Sequence, residues 1–177
     1  LGNVLQGIAI GENYQYQGGV LFEFLNPYAL MTGFTTLSLF MAHGAIFLLL
    51  KTEGRLFAKL TRLLKRGMIF FMVSFAVTTL YTLIYIPHLS DDFKSNPSLF
   101  IIPLLTFLSI ANVPRLAEKR KYKWAFLFSS LTIAFLLVLV AVELYPVLLR
   151  STIDPMYNID IYKAASSTKS LQIMMVI

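Results

Sequence analysis

Between Pro27 and Leu50 the chain reads PYALMTGFTTLSLFMAHGAIFLLL, 24 residues without an Asp, Glu, Lys or Arg. As a helix this run spans ~36 Å at 1.5 Å per residue, enough to cross a ~30 Å hydrocarbon core with some tilt. Pro27 suits a helix start, where its missing N–H would be unpaired anyway. Three further runs have the same character: Met68–Ile86, closed by Pro87; Pro97–Val113, interrupted by Pro103 and followed by Pro114; and Trp124–Leu149, with Pro146 near its end. Each is apolar around most of its circumference, which in water only a large protein could bury.

The whole chain agrees. Of its 177 residues 57% are hydrophobic and 14% charged, against about 45–50% and about 25% in an ordinary soluble domain. Mean hydropathy is +0.71. Abundant Leu, Ile, Val and Phe exclude disorder. The absence of cysteine excludes a disulfide scaffold and a thiol enzyme. The expected fold is an all-α, multispan transmembrane helix bundle with four full spans, 27–50, 68–86, 97–113 and 124–149, and the start of a fifth at 171–177. The sequence opens on Leu1 rather than Met and ends seven residues into a new apolar run, which reads as an internal piece of a longer chain. On that reading 1–26 holds the end of a preceding helix and an outer loop, and 150–170 is another outer loop.

Basic residues set the expected orientation. Segment 51–66 carries Lys51, Arg55, Lys59, Arg62, Lys65 and Arg66, and segment 114–123 carries Arg115, Lys119, Arg120, Lys121 and Lys123. Four alternating spans put these two loops on one side, and the positive-inside rule makes it the cytoplasmic side. The formal charge of +6 therefore belongs to membrane ends, not to a nucleic-acid surface. Within 51–66 the cations recur at spacings of four, three and four, with leucines on another face. That pattern fits either a short amphipathic helix lying in the interface or a helical extension of a neighbouring span. The stretch Gly11–Gly19, with alternating tyrosines, suits a short hairpin or irregular loop.

Ionisable and polar groups at membrane depth are functional hypotheses by default. His43, about 11 Å in from Leu50, can ligate haem iron, relay protons or bond a quinone. Its bland role is a neutral imidazole bonded to a neighbouring helix, with Gly44 permitting close approach. Glu143, near the outer end of the fourth span beside Tyr145 and Pro146, can serve a proton path or simply be a satisfied interfacial carboxyl. Asn26 stands at the first span's entrance. His88 falls in an outer loop next to Pro87. Ser129, Ser130, Thr132, Thr78 and Thr79 suit helix contacts. No phosphate-binding glycine loop, paired-histidine metal motif or nucleophile arrangement appears, so neither a catalytic residue nor a metal ligand is assigned.

Several strings in fixed order carry a resemblance: Gly2-Asn3-Val4-Leu5-Gln6-Gly7, Phe24-Leu25-Asn26-Pro27-Tyr28-Ala29-Leu30, Ala42-His43-Gly44-Ala45, Lys51-Thr52-Glu53-Gly54, Trp124 to Thr132, and Ala164 to Leu171. Together they resemble subunit II of the bacterial cytochrome bd quinol oxidases over essentially the whole chain. The resemblance implies a nine-helix subunit of two four-helix bundles and a peripheral helix, of which this chain would hold the second bundle. It implies a haem-free subunit partnered with a subunit I that bears haems b and d and oxidises quinol from the membrane pool. In some members subunit II holds a structural quinone or lines an oxygen or proton route. The resemblance places the family's Trp-Asp-Gly-Asn stretch, with its acidic residue linked to proton entry, in the half of the subunit that precedes this piece. Glu143 stands where the family often has an apolar or small residue, and the position of His43 has no established catalytic part. The rival class is a proton-coupled secondary transporter, suggested by the Pro-broken run 97–113. A plain scaffold subunit is the third reading.

Overall fold

The structure, a computed structural model, describes residues 1–19, 21–86, 89 and 97–176. It is an all-α multispan bundle. After a short helix α1 (Gly2–Gln6) come the long helices α2 (Pro27–Leu49), α3 (Gly54–Tyr85), α4 (Ile101–Glu118) and α5 (Tyr122–Glu143). With the 3-10 turn Pro97–Phe100 leading α4, all four are long and apolar enough to cross a membrane. A two-stranded antiparallel pair follows, β1 (Val147–Leu149) with β2 (Ile159–Asp160), and then helices α6 (Ile161–Ala164) and α7 (Thr168–Val176).

Two helical hairpins make the bundle. Helix α2 lies along α3, α4 along α5, and α2 also meets α5 and so joins the hairpins. Their shared core contains Ile46, Leu64, Phe71, Val113 and Ala125, all 3% exposed or less. The outer surface is apolar in turn, with Phe40, Leu80, Phe107 and Leu137 each more than half exposed, as a bundle solvated by lipid tails requires. Phe57 meets Tyr122 edge-on with centroids 5.6 Å apart. This contact brings the start of α3 against the start of α5, and with them both basic segments to one end.

At the opposite end the outer segments form a cap. Ile10 bridges Tyr16 antiparallel, closing the 11–19 stretch as a hairpin. Ile8 bridges Ser151 in parallel, with Ile8 N–H donating to the Arg150 carbonyl at 3.0 Å and Ser151 Oγ donating to the Ile10 carbonyl at 2.6 Å.

The element bounds decide between the two alternatives for 51–66 and correct the sequence reading in three further places. Helix α3 is continuous from Gly54, so 51–66 is mostly an upright extension of the second span, not a helix lying flat on the interface. Lys and Arg are good helix formers, and falling hydropathy marked a change of depth rather than a helix end. Pro103 does not interrupt α4, since it sits in the first turn, where N–H groups lack intrahelical acceptors. Pro114 lies inside α4, which runs on to Glu118; neighbouring helices let membrane bundles tolerate this. Finally, the fourth helix ends at Glu143, and apolar Val147–Leu149 forms β1, a distinction that a short apolar run does not carry. His88 and Pro87 lie outside the described residues.

Candidate functional site

Two polar points interrupt the apolar bundle. The first joins α2 to α5 in the half nearer the basic segments, where His43 Nδ1 lies 2.8 Å from Ser129 Oγ. Ser129 Oγ also donates to the Phe126 carbonyl at 2.8 Å. A hydroxyl has one proton, so with that proton committed Ser129 accepts from His43 Nδ1–H. The imidazole is thereby fixed in the Nδ1–H tautomer and its Nε2 keeps the lone pair. The ring stacks on Phe126 with centroids 4.7 Å apart, and the residue is half-buried. Such a group can accept a hydrogen bond or a proton at Nε2. The close helix approach expected at Gly44 is not made by the described residues, since a Cβ there would meet nothing within 4 Å.

The second point sits near the outer cap and centres on Tyr28, which is 3% exposed. Its ring stacks on Tyr81 at 5.7 Å, and its hydroxyl lies 3.2 Å from Thr82 Oγ1. Thr82 in turn donates to the Thr78 carbonyl, and Thr78 and Thr35 hydroxyls are 3.0 Å apart. Glu143 is the half-buried last residue of α5, and its neighbours Val140 and Leu144 pack against the cluster that holds Tyr28. The partner suggested by sequence, Tyr145, is 62% exposed. Sequence reasoning missed Tyr28; the signal available was its place in the Asn26-Pro27-Tyr28 string at a helix start.

Asn26 has a structural task. Its Oδ1 accepts from Ala29 N–H at 2.8 Å, capping α2, and its Nδ2 donates to Asn3 Oδ1 at 2.6 Å. Asn3 Nδ2 donates to the Phe24 carbonyl at 2.8 Å. Gly2 lies so close that a Cβ would come within 2.7 Å of Ala29 Cα. The two N-terminal strings singled out from sequence therefore touch. Ser130 and Thr132 bond back to carbonyls of their own helix.

Two open grooves flank α2. One, of about 560 Å³, is lined by residues including Asn3, Ala29, Gly33 and Phe40. The other, of about 420 Å³, is almost wholly apolar and runs between α2 and α3 past Met31, Phe34, Phe70 and Val77. His43 lines neither. Among the described residues no group of three or more His, Asp or Glu side chains could hold a metal ion.

Comparison with known proteins bears on what this scaffold serves. The model of the family described as cytochrome bd terminal oxidase subunit II matches residues 1–177. The "Probable cytochrome oxidase subunit 2" of Haemophilus influenzae is 26% identical over 205 residues, covering 99% of this chain and 54% of that protein. The "Cytochrome bd-I ubiquinol oxidase subunit 2" of Escherichia coli is 24% identical over 202 residues, covering 98% and 53%. The "Cytochrome bd ubiquinol oxidase subunit 2" of Bacillus subtilis is 24% identical over 157 residues, covering 86% and 44%. The chain thus spans about half the length of the curated relatives it matches.

Proposed function

Because the chain belongs to the cytochrome bd terminal oxidase subunit II family, we propose that its four spans form part of a haem-free subunit that supports the haem-bearing subunit I of a quinol:oxygen oxidoreductase. The observation carrying this reading is the family match over the whole chain. When bound on the partner, haems b and d supply the electron path from quinol to dioxygen. The residues here fit a supporting role better than a haem site. His43 is the lone described histidine at membrane depth, its Nδ1 is engaged by Ser129, and it lines neither groove beside α2.

What this chain contributes is a rigid apolar body. The exposed apolar flanks of the four helices offer area for a partner subunit and lipid. The groove lined by Asn3, Thr32, Gly33, Thr36 and Phe40, with polar groups at one end and along an otherwise apolar wall, suits a structural quinone or the entry of dioxygen. Tyr28, Glu143 and Nε2 of His43, none of which lines either groove, are the groups able to hold a proton elsewhere in the bundle. The basic end faces the cytoplasm of a bacterial inner membrane by the positive-inside rule. The transporter reading loses its motive, because α4 runs unbroken through Pro103 and Pro114.

The test is removal of this subunit alone, followed by haem quantification on the remaining membranes. Loss of haem b and d absorbance and of quinol oxidation is expected. Retention of both would overturn the proposal.

A further inference from the structure

The basic end is more than a topology signal. Segments 51–66 and 114–123 together hold eleven Lys and Arg against two acidic residues, Glu53 and Glu118. All eleven cations are exposed. Helix α3 explains their placement. Its 32 residues extend ~48 Å, about 18 Å beyond a ~30 Å hydrocarbon core. The apolar stretch begins only at Met68, so the excess lies at 54–66. The leucines of this extension divide between two faces: Leu56 and Leu63 are 52% and 43% exposed, whereas Leu60 and Leu64 are 6% and 3% exposed in the bundle core. Packing on that side turns the cations outward. Arg62, Lys65 and Arg66 stand just above the apolar stretch of α3, at headgroup depth, while Arg55 and Lys59 stand farther out along that helix.

Lys121 and Lys123 likewise stand just above the apolar run of their own helix, which begins at Trp124. The Phe57–Tyr122 contact brings Lys121 and Lys123 beside the α3 extension. The turn before them is built with a cation at its apex. Lys121 N–H donates to the Leu116 carbonyl and Arg120 N–H to the Ala117 carbonyl, the pairing in which the penultimate position adopts left-handed backbone and is usually glycine. Here that residue is Arg120, with φ 54°, so a charge is carried where the backbone favours Gly.

We propose that Arg62, Lys65 and Arg66, with Arg120, Lys121 and Lys123, form a binding surface for the phosphates of anionic phospholipid headgroups. Charge complementarity selects this occupant, since the surface is cationic, lies at headgroup depth and meets lipid on its apolar side. The inference rests on the bundle spanning a membrane and is independent of the oxidase reading.

Trp124, the only tryptophan of the 177 residues and 57% exposed, reports from this surface. The full-length protein is reconstituted with its natural partners into phosphatidylcholine vesicles containing brominated phosphatidylglycerol or brominated phosphatidylcholine. The Trp124 signal is taken as the difference from Trp124→Phe. Brominated phosphatidylglycerol is expected to quench it with about five-fold higher relative affinity for each cation engaged. Arg62→Gln/Lys65→Gln/Arg66→Gln should cut the preference about 100-fold. The outer pair Arg55→Gln/Lys59→Gln should retain most of it, and Arg62→Lys/Arg66→Lys should keep it as a folding control. Equal quenching by both lipids, or equal loss from inner and outer sets, would overturn the proposal in favour of a diffuse charge that only orients the spans.

Discussion

His43 and Ser129 are 86 residues apart in sequence and share a 2.8 Å hydrogen bond that ties the first long helix to the fourth. Because Ser129 already donates to the Phe126 carbonyl, the bond also decides which imidazole nitrogen carries the proton. Ser129→Ala is expected to destabilise the assembled protein by about 0.5–1.5 kcal/mol, read by SDS or thermal denaturation of the purified complex. His43→Gln should retain turnover if the imidazole is structural. A collapse of turnover with unchanged stability would instead assign His43 a proton-handling task at Nε2.

The Asn3–Asn26 pair separates two contributions. Asn26→Ala removes the helix cap and leaves Asn3 Oδ1 without its donor, an expected cost of about 1–2 kcal/mol. Asn26→Ser restores a cap acceptor without reaching Asn3, and its cost should be about half as large. Equal losses in the same denaturation assay would show that the cap contributes little.

Gly2 is a packing glycine. A Cβ there would come within 2.7 Å of Ala29 Cα, and because that atom is backbone the helices must part. Gly2→Ala should cost about 1–3 kcal/mol. Gly44→Ala, where a Cβ meets open space, should be neutral or slightly stabilising in the isolated subunit. A cost that appears at Gly44 only in the assembled complex would mark that face as covered by a partner.

These contrasts show what could be read beforehand. The four spans were legible, because apolar runs of 17 to 26 residues have few other fates. Their ends were not. Lys59 and Arg62 look like loop residues by hydropathy, yet their backbone simply continues α3 above the membrane. Val147–Leu149 look like the end of a span, yet they pair with Ile159–Asp160. Of the site, His43 and Glu143 announced themselves as polar groups in apolar surroundings. Their surroundings did not: Ser129 and Tyr28 are ordinary helix residues until tertiary packing brings Ser129 to His43 and Tyr28 to Tyr81 and Thr82, and periodicity carries no information across such separations.

The outer hairpin makes a pH prediction. Tyr16 donates to Glu23 Oε2 at 2.8 Å and stacks on Phe24 with centroids 5.4 Å apart. The hydrogen bond to the Glu23 carboxylate holds the Tyr16 hydroxyl above its usual 10.0. A raised folded-state value means that this contribution is fully present below about pH 10 and is lost as pH rises through the folded value. In an alkaline titration followed by tyrosinate absorbance, Glu23→Gln should make one tyrosine ionise at lower pH. An unchanged titration curve would show that the contact does not persist in solution.

The most direct test of the family-based function is a reduced-minus-oxidised absorption spectrum of the full-length protein, purified gently with whatever accompanies it. Bands of haems b and d that travel with a larger partner subunit, and remain on that partner when the polypeptides are separated, are the predicted result. A haem-free preparation without a partner, or haem retained on this polypeptide itself, would contradict it.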